Sequence, residues 1–344
     1  MNKNRLDNCF PIKTILMLLI ILYHSCVFWT GTWWDSDPAF PSQVLGSFAK
    51  WLNSFHIYAF ALISGYIFAY KVIKGGYSEY GLFLRNKAKR LLMPYVFVAF
   101  IWVTPISEYM FKWDIGYLAK KYLLAIDPSQ LWFLWMLFGV FVIVWPMRKL
   151  LLEKPLVGWV ISLGFYGIGL IGRHIIPNFF CVWTACQYVL LFFVGMRIRE
   201  KEEKQERLIT EALPWYGWII ADLLLFAGTM IVGRNSGTVW SLIAIALNLT
   251  LHVVGAVMAW TTLQSLANKV NWKDSKAFKT LSSYSMPMYL FHQQIIYFTI
   301  IWLNGKVNPW INAGVNFAVA LIGSFLISAF LMHWKTTRFL IGEK

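Results

Sequence analysis

Two side chains in the first apolar stretch have the types and the spacing that suit chemistry. His24 follows Lys13 by eleven residues, so on an α-helix they lie about 20° apart in azimuth and about 16 Å apart along the axis. Imidazole is the side chain whose pKa suits proton transfer near neutral pH, so His24 is a candidate general base standing above a surface charge. The alternative is a core histidine that a neighbouring helix satisfies.

Other ionisable residues also fall within or beside apolar stretches. His56, His292 and Asp222 lie where an ionisable group is costly unless it meets a partner or water, so each is a candidate for function or for packing. Asp222 suits three roles: orienting a histidine, binding a proton, or pairing with an arginine such as Arg197. Asp35 follows the first stretch, either folded back over the imidazole or in an exposed turn.

Lys87 and Arg90 are three residues apart and share a helix face. With Lys13 they would form a site for phosphates, because lysine supplies a point charge and arginine a bidentate fork. Anchoring at a membrane surface would explain the same charges.

The elements that would position these residues are transmembrane helices. With 58% hydrophobic and 14% charged residues and apolar runs near 20 residues long, a soluble protein is excluded. We predict one domain over residues 1–344, an all-α polytopic bundle of about ten helices. The predicted segments are Ile12–Thr30, Phe48–Tyr70, Leu91–Ile106, Leu131–Pro146, Leu156–Gly172, Phe179–Met196, Trp215–Val232, Val239–Leu263, Ser285–Leu303 and Ile311–Met332.

The net charge of +15 is distributed by loop, with 24 of the 31 basic residues in alternate connections and termini. This is the positive-inside pattern, which predicts both termini in the cytoplasm, a lipid bilayer as partner, and no nucleic-acid ligand. The sequence has no metal-site or nucleotide-hydrolysis motif, so we expect no metal and no permanently bound cofactor.

Several blocks resemble the integral-membrane acyltransferase-3 family, which includes O-acetyltransferases of bacterial surface polysaccharides. Lys13 and His24 match its pattern of an arginine, ten residues and a histidine, with lysine in place of arginine. Lysine also replaces arginine at Lys87, the first position of the basic segment, and both changes lose the planar two-pronged donor. The similar blocks are Phe55–Phe68 (FHIYAFALISGYIF), Lys87–Tyr95 (KAKRLLMPY), Leu131–Leu134 (LWFL) and Ser283–His292 (SYSMPMYLFH).

The resemblance implies a multi-pass protein of a bacterial inner or plasma membrane. It would move an acyl group, usually acetyl from acetyl-CoA, to a hydroxyl of a surface or secreted polysaccharide or its lipid-linked precursor. Lys13, Lys87 and Arg90 would hold the acyl-CoA phosphates. His24 would take the hydroxyl proton or accept the acyl group itself, and Asp35 would hold the imidazole.

Alternatives remain open at the sequence level. Intramembrane histidines also line passages or relay protons, so a polysaccharide transporter or exporter component of the same fold is the main rival. An inactive scaffold is a second. The residues do not specify the acyl group, the acceptor glycan or the oligomeric state.

Overall fold

The computed structural model of the chain describes residues 3–31, 33, 36–270, 272 and 275–343, without the side chains of residues 3 and 4. This part is 83% helical and has no strand, which confirms the predicted all-α bundle. Nine of its segments are long and apolar enough to cross a membrane. The α-helices are α1 (Lys3–Cys26), α2 (Gln43–Asn53), α3 (His56–Ile73), α4 (Tyr80–Val98), α5 (Thr104–Phe111), α6 (Ile115–Tyr122), α7 (Trp132–Glu153), α8 (Pro155–Ile175), α9 (Val182–Glu203), α10 (Trp215–Val232), α11 (Thr238–Lys269), α12 (Lys276–Ser283), α13 (Ser285–Leu303), α14 (Pro309–Leu331) and α15 (Lys335–Leu340).

The helix α13 has the predicted bounds but is not one of the nine apolar segments. His292, Gln293 and Gln294 lower its hydropathy, and all three side chains are buried in the bundle. The helix packs against both α1 and α14. Protein, and not lipid, therefore surrounds these polar groups, as their cost in a bilayer requires.

The predicted second helix is wrong in one respect. The apolar pattern predicts a single helix over Phe48–Tyr70, but the chain breaks between Asn53, where α2 ends, and His56, where α3 begins. The helix α11 packs closely on this break, since a Cβ added at Gly255 would lie 2.8 Å from the Cβ of Phe55. The break places His56 in the first turn of a new helix.

The predicted third helix, Leu91–Ile106, begins too late. The observed α4 starts at Tyr80 and continues through a π-helical turn, Ala99–Val103, into α5. Lys87 and Arg90 consequently lie within a formed helix, and the two side chains share one face as predicted.

Glycines allow α3 and α9 to approach until their backbones touch. A Cβ added at Gly65 would overlap the carbonyl group of Phe192, and one added at Gly195 would overlap that of Leu62. Small residues at helix interfaces are the usual means of such close packing in membranes. This contact fixes α3, and with it His56, against the centre of the bundle.

Contacts between distant segments define the two ends of the bundle. At the end that we call the amino-terminal face, Arg5 lies 3.8 Å from Glu202, Lys74 lies 3.2 Å from Glu203, and the Asn8 side chain donates to Asn268 at 2.8 Å. At the opposite face the side chain of Asn304 donates to the Asp37 carbonyl oxygen at 3.2 Å. The basic segments therefore gather at one end, which the charge pattern predicts to be cytoplasmic.

Candidate active site

His24 lies in the last turn of α1, half-buried and facing α13. Its Nδ1 is 3.0 Å from the carbonyl oxygen of Ile20 and 3.2 Å from Nε2 of His292. Nδ1 of His292 is in turn 2.7 Å from the carbonyl oxygen of Tyr289. A carbonyl oxygen can only accept a hydrogen bond, so we assign a proton to both Nδ1 atoms. His292 Nε2 then accepts from His24, whose own Nε2 keeps its lone pair.

This tautomer suits His24 for acid–base or nucleophilic chemistry. The lone pair on Nε2 can take a proton or attack a carbonyl carbon. Behind it, Ile20 and His292 hold the protonated Nδ1 in one orientation, the part that a carboxylate plays in a hydrolase triad. The geometry assigns His292 to positioning the imidazole rather than to contact with the reacting atoms.

A second imidazole lies beside the first, on α3. The ring of Tyr23 separates them, with its centroid 4.8 Å from that of His24 and 5.0 Å from that of His56. Nδ1 of His56 donates to the carbonyl oxygen of Leu52. Nε2 of His56 is buried and has no hydrogen-bond partner in the structure. It is therefore a free acceptor.

Both histidines line a cavity of about 720 Å³, which we call the His24 cavity. Its wall is rich in aromatic rings and amides, and no aspartate or glutamate among the described residues contributes to it. The described lining residues include Trp33, Trp113, Tyr117, Lys121, Gln130, Trp132, Gln293 and Tyr297. Burial lowers the pKa of Lys121 below that of an ordinary lysine, and the charge of Asp127 opposes this shift.

A second cavity, of about 330 Å³, lies towards the amino-terminal face and is lined by Lys13, Lys87 and Arg90. We call it the cationic cavity. No carboxylate of the described residues lies within 4.0 Å of these three cations, whereas Arg199 pairs with both Glu202 and Glu203. Like charges that converge without a counterion favour an anionic ligand.

Lys87 is held in place by aromatic rings. Its Nζ lies 4.0 Å from the centroid of Phe141, 5.3 Å from that of Tyr77 and 5.4 Å from that of Phe83. Attraction between the ammonium and the ring faces fixes the side chain without neutralising its charge. Arg90 lies close enough to Glu343 to lower the pKa of that carboxyl, although burial has the larger effect and raises it.

The two cavities are neighbours that share two wall residues. Ile20 and Tyr289 line both of them. Helix rise places Lys13 about 16 Å from His24 along α1. A long, thin ligand with its charged end among the cations would reach the imidazole along this route.

Residues 12–333 match a family model that is described as an acyltransferase domain. The chain belongs to the acyltransferase-3 family. No curated protein and no solved structure matches the chain. As a member of this family the chain is a multi-pass membrane protein whose general activity is acyl transfer. The matched range contains the histidines of the His24 cavity and the three cations of the cationic cavity.

The blocks that resemble the acyltransferase-3 family surround the route between the cavities. Ser64, from the block Phe55–Phe68, lines the cationic cavity, as do Phe133 and Leu134 from the block Leu131–Leu134. Tyr289 belongs to the block that ends at His292. The resemblance therefore concerns the surroundings of the route, not scattered positions.

One predicted site residue does not join this arrangement, and a second cannot be placed in it. Asp222 is buried and accepts a hydrogen bond at 2.8 Å from the indole of Trp51, and it lines neither cavity. Arg197 pairs with Glu200 instead. Asp35 lies outside the described residues, so its role as the acidic partner of the imidazole stays a prediction. The remaining predicted residues, Lys13, His24, His56, Lys87 and Arg90, line one of the two cavities, and His292 contacts His24.

Sequence reasoning missed several residues of the His24 cavity. Gln293 follows His292 directly, yet a glutamine in an apolar helix was not considered as a candidate. Lys121 was counted only as one of the charges outside the basic segments. Its position in YLAKKY, between aromatic residues and away from the predicted cytoplasmic side, was the available signal.

Proposed function

We propose that this acyltransferase takes an acyl group, acetyl in the simplest case, from acyl-CoA and delivers it to a hydroxyl of a surface or secreted polysaccharide or its lipid-linked precursor. The observation that supports the proposal is that the cationic cavity and the His24 cavity lie side by side and share the wall residues Ile20 and Tyr289. It offers separate places for a phosphate-bearing donor and a hydroxyl-bearing acceptor, with one imidazole between them.

The donor end rests on charge and shape. Coenzyme A carries its phosphates at one end and its thioester at the end of a long pantetheine arm. Lys13, Lys87 and Arg90 would bind the phosphates, and lysine at two of these positions supplies point charges where the family pattern has the arginine fork. The narrow, largely apolar passage beyond them would hold the arm.

At the imidazole the reaction needs one proton acceptor and one proton donor. Nε2 of His24 takes the proton of the acceptor hydroxyl while that oxygen attacks the thioester carbonyl carbon. The carbon–sulfur bond then breaks, and the imidazolium returns the proton to the sulfur, which gives an ester and free CoA thiol. In the alternative order Nε2 attacks the carbonyl carbon first and CoA leaves as the thiolate. The hydroxyl then displaces the imidazole from the acyl group, and its proton goes to the thiolate.

The cellular setting follows from the same placement. With the amino-terminal face in the cytoplasm of a bacterium, acyl-CoA would enter from that side and the glycan from the other. The chain would reside in the inner or plasma membrane.

The deciding experiment measures transfer from radiolabelled acetyl-CoA by the purified chain in lipid nanodiscs. We expect His24→Ala to lose about 10²-fold or more of the rate, the range for removing a general base, while acetyl-CoA still binds. Equal transfer by wild type and variant would overturn the role of His24. Rapid acid quenching separates the two orders, because only the acyl-histidine route leaves label on the protein.

The hypothesis of a polysaccharide exporter makes a different prediction in cells. Under the acyltransferase proposal, cells without the protein still display full-length glycan that lacks the ester. Loss of the glycan itself from the surface would favour export.

A further inference from the structure

Two residues that line the His24 cavity carry a buried hydrogen-bond acceptor that no described residue satisfies. Nε2 of His56 and Oε1 of Gln293 each have no partner in the structure, and the two side chains are 1% and 3% exposed. A buried polar atom without a partner costs free energy, about 1–3 kcal/mol each. Such atoms at a cavity wall indicate a ligand that supplies hydrogen-bond donors.

The existing hydrogen bonds identify which atom of each side chain is the free acceptor. Nδ1 of His56 donates to Leu52, so Nε2 must accept. The amide nitrogen of Gln293 donates to the hydroxyl of Tyr297, so Oε1 is the atom of this lining residue that has no partner among the described residues. Gln130, also on the wall, differs because its amide nitrogen and oxygen both bond to Gln294. His56 and Gln293 thus differ from Gln130 in having an acceptor without a partner.

The same cavity holds one cation without a counterion. Nζ of Lys121 lies 5.4 Å from the ring centroid of Trp113 and 5.7 Å from that of Tyr117, and both rings line the cavity with it. No carboxylate of the described residues lies within 4.0 Å of this ammonium. Asp127 influences it only at longer range. The aromatic rings hold the charge at the wall without neutralising it.

We propose that the His24 cavity is a subsite for an anionic sugar residue, whose hydroxyls donate to His56 and Gln293 and whose carboxylate or phosphate pairs with Lys121. The rings of Trp33, Trp113 and Trp132 supply apolar faces for the sugar ring, which has one apolar face of its own. This proposal rests on the proposed function and narrows its acceptor from any glycan hydroxyl to that of an acidic sugar. His56, Gln293 and Lys121 are then residues that select the acceptor.

The test compares matched acceptors that differ only in charge. Methyl glycosides of hexuronic acids, hexose 6-phosphates and the corresponding neutral hexoses are offered to the wild-type chain in nanodiscs with radiolabelled acetyl-CoA. We expect at least about tenfold higher kcat/KM for an anionic member than for its neutral counterpart, which corresponds to one well-placed charge-assisted contact. The better of the two anionic series identifies the carboxylate or the phosphate as the recognised group.

Variants locate the selectivity. Lys121→Met should remove the preference by raising KM for anionic acceptors only, whereas Lys120→Met, at the exposed neighbouring position of α6, should keep it. Gln293→Leu should raise KM for charged and neutral sugars alike. Equal use of charged and neutral acceptors by wild type, use of neither, or an unchanged preference in Lys121→Met would overturn the proposal.

The reaction without any acceptor distinguishes the failure of this proposal from the failure of the proposed function on which it rests. Slow hydrolysis of acetyl-CoA that disappears in His24→Ala, together with no charge preference, would retain acyl transfer and reject the acidic sugar. Hydrolysis that is equal in both proteins would instead reject the catalytic role of His24.

Discussion

Nε2 of His292 lies 3.2 Å from Nδ1 of His24, so a histidine of α13 backs a histidine of α1. The pair joins two helices that are 268 residues apart in the chain at this contact. This bond and the one to the Ile20 carbonyl oxygen together hold the proton on Nδ1 of His24, which leaves the lone pair on Nε2. The chemistry proposed for one helix therefore depends on the position of the other.

Replacing His292 should lower the rate without weakening substrate binding. His292→Phe removes one of the two acceptors for the His24 proton, and we expect kcat to fall about 10- to 100-fold with KM nearly constant, as for the loss of an outer partner that orients a functional imidazole. His292→Gln, whose side-chain oxygen can accept the same bond, should recover part of the loss. The pH profile of kcat should shift in His292→Phe and return towards wild type in His292→Gln. A purely structural role would instead reduce activity in proportion to folded protein.

Removing the cations should weaken binding of the donor's phosphates. Lys87→Ala and Arg90→Ala each delete an unpaired cation of the cationic cavity, and we expect the Kd of acetyl-CoA to rise about tenfold, or about 1.4 kcal/mol. Lys89→Ala, an exposed position on the same helix, is the matched control and should change little. Isothermal titration with acetyl-CoA and with acetyl-pantetheine, which lacks the nucleotide phosphates, checks the cause. The variants should differ from wild type for the first ligand and match it for the second.

Selectivity for an anionic acceptor should depend on pH through Lys121. Only the ammonium form attracts an anion, and burial lowers the pKa at which it loses its proton. The preference is thus present below this lowered pKa and is lost as pH rises through it, at a lower pH than for an exposed lysine. Lys121→Arg should keep the preference to higher pH because guanidinium stays protonated. Measuring kcat/KM for charged and neutral acceptors across pH tests this, and a preference that is flat with pH in both proteins would contradict it.

The close contact of α3 and α9 predicts opposite effects for three glycine substitutions. Gly65→Ala or Gly195→Ala would push a methyl group into a backbone carbonyl, and overpacking of this kind costs about 1–3 kcal/mol. Gly164→Ala in α8 meets nothing within 4 Å and should stabilise the helix by about 0.5–1 kcal/mol. Thermal inactivation midpoints in detergent should fall for the first two and hold or rise for the third. Equal midpoints for all three variants would show that the contact between α3 and α9 has room for a methyl group.

The pattern of apolar and charged residues along the chain predicted most of the helices. The spacing of residues within a helix predicted which side chains of the site share a helix face. Lys13 and His24 share an azimuth because helix geometry fixes it, and Lys87 with Arg90 follows the same rule. The break before His56 was not predictable, because it depends on the close approach of Gly255 from a helix that lies far along the chain. The bond between His24 and His292 is likewise a tertiary event, although both histidines were candidates. Asp222 shows the converse, since this intramembrane carboxylate was a candidate by type and depth, yet it accepts a hydrogen bond from an indole and lines neither cavity.

The polar character of α13 has a consequence for how the protein is made. A segment that carries His292, Gln293 and Gln294 enters a bilayer poorly by itself, so its insertion depends on α1 already being in place and on α14 following. Synthesis from the amino terminus therefore completes the histidine pair only near its end. Truncated or stalled chains would carry His24 without the residue that orients it.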